Sequence, residues 1–185
     1  LKGDPSLLTI GNVSPRKGQH RVIQSLPELT KAFPDIHYHS IGIPTVKDRL
    51  ERLAHELGVS KFLTFHGKIK DRSEMLSLAK TAGIFVMLSE NQRNGDVEGF
   101  GIAILEANAL GIPAIGARGS GIEDAIKEGF NGILVEGNDP VEIVEAVRTI
   151  SKGYRNYSAN AISWAKQHDM AGTIDKYLIF SFPNE

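Results

Sequence analysis

Residues 84–110 read IFVMLSENQRNGDVEGFGIAILEANAL, and the order of textures in that stretch decides the fold. Residues 84–88 form an unbroken apolar run of strand length, the pattern expected where helices cover both faces of a sheet. A polar loop over residues 89–97 follows it. A helix is expected from Gly101 to Leu110, so the stretch is one strand–loop–helix unit of a parallel α/β protein.

The same alternation continues on both sides. Residues 7–10 read as a strand ending at Gly11. Val22, Leu26, Leu29 and Phe33 then mark one face of a helix with 3.6-residue periodicity, which Pro27 is expected to kink or divide. Residues 36–43 are expected to be a strand, and residues 46–57 a helix stopped by Gly58. Residues 62–65 read as a short strand and residues 73–80 as helical. Residues 113–115 precede a glycine-rich turn over residues 116–121 and a short helix. Residues 132–135 are the last expected strand, Pro140 suits a helix start, and residues 154–180 read as one or two closing helices. About six strand–helix units predict an open, Rossmann-like parallel sheet with helices on both faces, in a single domain over residues 1–185. Ligands of such sheets sit beyond the carboxyl ends of the strands, which selects the loops after Ile10, Ile43, Phe65, Leu88 and Ile115.

Composition narrows the function classes. Hydrophobic residues make up 41% and charged residues 23% of the 185, which suits a packed globular chain rather than a disordered one. A formal net charge of -1 gives no basic surface for nucleic acid. The absence of cysteine excludes disulfides, thiol catalysis and zinc–thiolate sites. No apolar run approaches the ~18 residues of a membrane span and no signal segment opens the chain. A cytoplasmic setting is the expectation. The chain begins at Leu1 rather than a methionine and meets a strand almost at once, as a piece of a longer protein would.

The helix expected at residues 101–110 is apolar around nearly its whole circumference, the mark of a buried helix, and Glu106 is its only charge. A buried carboxylate needs a polar partner. That partner is either a lysine or arginine in a structural pair or the hydroxyl groups of a ligand. Upstream, Glu98 precedes Gly99-Phe100-Gly101 at the helix entrance, where unpaired N–H groups and the helix dipole favour an anion. Were residues 98–106 all helical, the two glutamates would stand ~12 Å apart along the axis. That is about the reach of a nucleoside diphosphate sugar.

Glu-Gly-Phe-Gly-(x)4-Glu-Ala-(x)2-Leu-Gly-(x)-Pro, from Glu98 to Pro113, resembles the signature of the large glycosyltransferase family four, retaining enzymes of GT-B fold. Also similar, in the same order, are residues 11–18 (GNVSPRKG), Phe65-His66-Gly67, Ser89-Glu90, Gly119-Ser120-Gly121-Ile122-Glu123, residues 129–135 (GFNGILV) and Ser163-Trp164. The likeness covers nearly the whole chain, but only the family's C-terminal, donor-binding half. It implies that the acceptor-binding N-terminal domain lies outside this chain.

By that resemblance, Glu98 faces the hydroxyls of the transferred sugar and Lys17 neutralises the departing diphosphate, which makes these two the catalytic candidates. The backbone of Gly99, Phe100, Gly101 and Ile102 holds the sugar and distal phosphate, and Glu106 takes the ribose hydroxyls. Gly11, Asn12 and Arg16 line the diphosphate with Lys17, while Gly67, Lys68 and Ile69 lie by the base. The resemblance further implies a hexose transferred from a UDP- or GDP-sugar to a glycan or lipid-linked acceptor, with no metal and no cofactor beyond the donor. It also implies peripheral attachment to the inner face of a membrane through the other domain. One position departs from the family: Asn12 stands where an arginine is usual, five residues before Lys17. Arg16 and Arg118 are the available substitutes.

Weaker signals are read plainly. Gly99-Phe100-Gly101-Ile102-Ala103-Ile104 resembles a dinucleotide fingerprint, but Ile104 fills the third small-residue position and a ten-residue loop separates it from its strand. Gly116, Gly119 and Gly121 either line the ligand or make a tight turn. The six histidines lack metal spacing and are expected to be packed or solvated, His66 alone being placed to touch base or ribose. Lys68 and Lys70 read as solvated charges, and Trp164 as a packing residue. A non-catalytic binding module and a sugar-nucleotide epimerase of GT-B fold are the alternatives to a transferase.

Overall fold

The computed structural model describes residues 1–92, 95 and 97–168. Six strands form one parallel sheet: β1 (Ser6–Ile10), β2 (His37–Ile41), β3 (Leu63–Gly67), β4 (Ile84–Met87), β5 (Ala114–Ala117) and β6 (Gly132–Val135). Their spatial order is β3-β2-β1-β4-β5-β6. Among the described residues the α-helices are α1 (Gln19–Ala32), α2 (Lys47–Glu56), α3 (Arg72–Ala79), α4 (Ile102–Ala109), α5 (Pro140–Lys152) and α6 (Tyr154–Gln167).

Alternation along the central strands explains their unbroken apolar runs. Leu7, Ile84 and Val86 point into a core shared with α1, α2 and α5, whereas Leu8, Phe85 and Met87 point into one shared with α3, α4 and the residues after β5. Each such side chain, fully removed from water, stabilises the fold by roughly 1.5–3 kcal/mol. Asp71 caps α3 and Asp139 caps α5, each accepting backbone N–H groups of the first turn.

The structure corrects three local expectations. α1 runs unbroken through Pro27, because Val22, Ile23, Leu26 and Leu29 bury one continuous stripe that outweighs the hydrogen bond proline removes. β3 extends to Gly67, pairing through Ile41, so its loop begins later than residue 65. The short helix after the glycine-rich turn is a 3-10 turn, Gly121–Ala125. Of the closing helices, α6 ends at Gln167, and the rest of the expected segment lies outside the described residues.

Candidate functional site

The strand order determines which loops converge. The chain moves outward from β1 to β3, then returns beside β1 as β4 and moves outward the other way. Such a reversal opens a crevice between the carboxyl ends of the two central strands. The loop after β1 and the loop after β4 meet there.

Pro15–Lys17 after β1 is a 3-10 turn with proline at its start, and it carries Arg16 and Lys17. Glu98 comes from the loop after β4. It is 9% exposed and is the only buried carboxylate among the described residues. Lys17 Nζ lies 2.9 Å from Glu98 Oε2, and Arg16 pairs with the same oxygen. Lys17 and Arg16 thus converge on one carboxylate oxygen. A second group braces the same loops: Glu90 pairs with Arg21, stands 3.6 Å from His20, and donates its N–H to the Arg16 carbonyl at 3.1 Å. Burial holds the His20 imidazole below its ordinary pKa, against the pull of Glu90.

Two glycines set the backbone around Glu98. Gly101 adopts φ 77 and caps α4, so residues 98–101 approach the helix from outside rather than extend it. Gly121 lies so close that a Cβ there would fall 2.5 Å from the Glu98 carbonyl oxygen and 2.7 Å from that of Gly99. The 3-10 turn thus backs the segment directly. In the first turn of α4, which no side chain caps, Ile104 donates to the Gly101 carbonyl at 2.8 Å, while the N–H groups of Ile102 and Ala103 have no acceptor one turn back in the helix. Chemically, the arrangement can hold an anion between cations and helix dipole and offer a carboxylate to hydroxyl groups.

Glu106 differs from expectation. Its side chain is 37% exposed and lies 2.9 Å from Arg72 Nη2 on α3. α4 is not buried all round: Ile104, Ala107 and Asn108 face the core, while Ile102 is 69% exposed. The reason is that α4 lies at the mouth of the crevice, with its first turn in solvent. The premise of one helix over residues 98–106 fails with it, since α4 begins at Ile102. Glu98 and Glu106 belong to separate charge groups, and Glu98 is the buried one.

The other expected residues fall as follows. Gly11 donates its N–H to Ile41 and the Asn12 carbonyl accepts from the buried Gln19 side chain, so both hold the loop through backbone groups. The Gly67 carbonyl accepts from Gly42, Lys68 is exposed, and Ile69 packs on the second core. Phe100 is 40% exposed at the mouth. Arg118 is held by Glu128 and the Leu134 carbonyl, away from the Arg16–Lys17 turn. Gly116 is a strand residue under Ile126, and Gly119 belongs to the turn. His66 is drawn to His39, at 3.0 Å, rather than left open as a ligand contact. Among the described residues, no cluster of three or more His, Cys, Asp or Glu is placed to hold a metal ion.

Sequence reading passed over Asn108 and Asn131. Both are fully buried and joined: Asn131 donates to Asn108 Oδ1 at 2.6 Å and to the Ala125 carbonyl at 3.0 Å, while Asn108 donates to the Ile112 carbonyl at 2.8 Å. An amide inside an apolar helix was the available signal, since a buried amide must be partnered. This network locks α4 to the 3-10 turn and to the approach to β6.

A model of the family described as glycosyl transferases group 1 matches residues 1–168. The chain belongs to that family. A GDP-mannose-dependent alpha-(1-6)-phosphatidylinositol monomannoside mannosyltransferase of Mycolicibacterium smegmatis is 32% identical over 165 residues, covering 87% of this chain and 43% of the relative. A D-inositol 3-phosphate glycosyltransferase of Corynebacterium urealyticum is 32% identical over 146 residues, covering 75% of this chain and 32% of the relative. The chain therefore spans less than half the length of these family members. Its fold matches the C-terminal domain of a glycosyl transferase group 1 family protein from Francisella tularensis, with TM-score 0.76 and 25% identity over 90% of this chain and 87% of that one. It also matches Anabaena HepE in complex with UDP and glucose, with TM-score 0.79 and 21% identity over 98% of this chain and 48% of that one. Glycosyl transfer is the family's chemistry. Among the described residues, no helix is long and apolar enough to cross a membrane.

Proposed function

We propose that this chain is the donor-binding part of a retaining glycosyltransferase that transfers a hexose from a nucleoside diphosphate sugar. The carrying observation is the buried Glu98 carboxylate, held by Lys17 and Arg16 at the mouth of the β1–β4 crevice beside the α4 N-terminus. The diphosphate replaces Glu98 as the partner of the two cations and takes the first-turn N–H groups of α4. Glu98 then turns to the sugar hydroxyls. Glu106, half-exposed one turn into α4, takes the ribose hydroxyls in place of Arg72, and the backbone of Gly67, Lys68 and Ile69 lies by the base.

The leaving diphosphate is stabilised by Lys17, Arg16 and the helix dipole, so the reaction needs no metal. Arg16 supplies the second cation that Asn12 does not, which favours a working transferase over a non-catalytic module. GDP-mannose is the first donor to test, because the relatives named above include a GDP-mannose-dependent enzyme; UDP-glucose is the second. The acceptor is a glycan or lipid-linked sugar bound by a second, N-terminal domain, through which the enzyme rests on the inner face of a membrane.

Calorimetry with GDP, UDP, GDP-mannose and UDP-glucose tests the reading. Wild type should bind at least one sugar nucleotide, and Glu98→Gln should lose its preference for the sugar conjugate over the bare nucleotide. Absence of binding to all four ligands would overturn it.

A further inference from the structure

Phe100 sits between Gly99 and Gly101 in the segment that carries Glu98, yet its ring is 40% exposed. No core pocket therefore fixes it. Its ring contact is with His168, at the end of α6, with centroids 6.1 Å apart and planes at 32°. His168 in turn lies 4.3 Å from the Trp164 ring, and Trp164 meets Phe130 edge-on at 6.4 Å. The His168 ring is itself fixed, because Nδ1 lies 2.9 Å from the Trp164 carbonyl and must donate to it. Lys127 adds a cation 4.8 Å above Phe130 and 5.9 Å above Trp164.

A second route starts from the same tryptophan. The Trp164 indole N–H donates to the Ala125 carbonyl at 2.9 Å. Ala125 ends the 3-10 turn whose other end, Gly121, is pressed against the carbonyls of Glu98 and Gly99. The last turn of α6 thus reaches residues 98–101 twice: through the 3-10 turn to their backbone, and through His168 to the Phe100 ring.

We propose that Trp164 and His168 are positioning residues that hold the Glu98 segment in the geometry its carboxylate needs at the crevice. Neither touches the crevice; both act through Phe100 and Gly121. The consequence for sugar recognition rests on the donor-binding reading above, whereas the mechanical link does not. A nucleoside diphosphate, gripped chiefly by Lys17 and Arg16, depends on this link only through the first turn of α4. The sugar moiety, which meets Glu98 and the backbone of residues 99–102, depends on it.

Backbone 15N relaxation on the 185-residue chain separates the two claims. In wild type, the order parameters of Gly99, Phe100, Gly101 and Ile102 should lie near the rigid value of about 0.85, and in His168→Ala they should fall toward the flexible range below about 0.6. The amides of β1 and β2 should not change. His168→Phe, which restores a ring without the Nδ1 donor, should recover most of the order. Trp164→Phe, which keeps a ring and loses the N–H, should loosen residues 99 and 121 together. The matching binding result is a loss of about three- to tenfold in sugar-nucleotide affinity for His168→Ala, the size expected for one aromatic contact, with a smaller loss for bare nucleotide. Unchanged order at residues 99–102, or a fall spread evenly over β1 and β2, would overturn the proposal. Should His168→Ala fail to fold, Trp164→Phe decides it by the same comparison. If wild type binds no sugar nucleotide, the donor-binding reading falls and the relaxation result still decides the link.

Discussion

Lys17 Nζ stands 2.9 Å from Glu98 Oε2, joining the loop after β1 to the loop after β4. The two residues meet only because the sheet order brings β1 and β4 together. Lys17 is therefore both a tie between the halves of the sheet and a cation offered to the crevice. Lys17→Met keeps most of the apolar stem and removes the charge. It should weaken nucleoside diphosphate binding by about tenfold or more and flatten its salt dependence, as loss of one partly buried charge contact requires. Calorimetric titrations with GDP and UDP at two salt concentrations check this; equal affinities would remove Lys17 from the diphosphate.

Glu98→Gln should move bare nucleotide and sugar nucleotide in opposite directions. The carboxylate pairs with Lys17 and Arg16 in the folded chain, so its loss removes a charge that competes with a diphosphate for them. Nucleotide affinity should hold or rise, while turnover of the intact enzyme should fall by about 10²–10³, the range for removing one aligned polar group from a reacting centre. The chain itself should lose roughly 1–3 kcal/mol of stability, because two part-buried cations are left facing an amide. A parallel fall in both affinities would contradict the division of labour.

Arg72 and Glu106 make a surface ion pair, and such pairs are worth about 0–1 kcal/mol. Arg72→Ala should leave the unfolding midpoint within the scatter of measurement. It should also leave nucleotide binding unchanged or slightly tighter, since Glu106 is freed for ribose. Glu106→Ala should weaken nucleotide binding by about tenfold, the value of a charged hydrogen bond to hydroxyl groups. If both variants bind like wild type, Glu106 is only a surface charge.

What the sequence disclosed and what it concealed follow from range. The parallel sheet was legible because residues 84–88 are apolar on both faces, a property of consecutive residues. The crevice was legible because ligands of open parallel sheets occupy one end. The exposure of Glu106 was not legible: a helix with little polar surface looks buried, and only the tertiary position of α4 at the crevice mouth puts Ile102 in solvent. The contact of Arg16 with Glu98 was not legible for the same reason, since the two lie 82 residues apart. Pro27 failed as a helix breaker because the stripe from Val22 to Leu29 is a summed effect and the proline a single local cost.

Asn108 and Asn131 join α4, the 3-10 turn and the approach to β6 at the centre of a dry region. Replacing Asn108 by leucine leaves the Ile112 carbonyl without its Asn108 donor and removes one of the two bonds that the Asn131 amide donates, the bond to the Ala125 carbonyl remaining. A stranded carbonyl at about 1–3 kcal/mol and one lost amide bond at about 1 kcal/mol predict a destabilisation of roughly 2–4 kcal/mol. Urea unfolding followed by circular dichroism measures it. The double variant Asn108→Leu with Asn131→Leu should cost less than the sum of the single changes, because the bond between the two amides is lost in each single variant and counted twice in the sum. Strict additivity would show that the two side chains act independently.

His37, His39 and His66 form a short row on β2 and β3, with ring centroids 4.6 and 5.2 Å apart. His39 Nε2 must donate to the Lys2 carbonyl, so in the neutral ring Nδ1 accepts from His66. Burial lowers the pKa of all three; for His37 the neighbouring imidazoles and the Lys2 charge push the same way and hold it at about 4, whereas for His39 the bond to the Lys2 carbonyl pulls upward against burial. A lowered folded pKa means that below the unfolded value of 6.5 the unfolded chain takes up more protons. Stability should therefore be full above that pH and decline as the pH falls toward 4, with His37 contributing a loss of roughly 2 kcal/mol by about pH 5. Urea midpoints across that window should show the decline in wild type and a shallower one in His37→Gln, which keeps a polar partner for Thr64 and cannot titrate. A wild-type midpoint independent of pH would mean that the row accepts protons as freely in the folded chain as in the unfolded one.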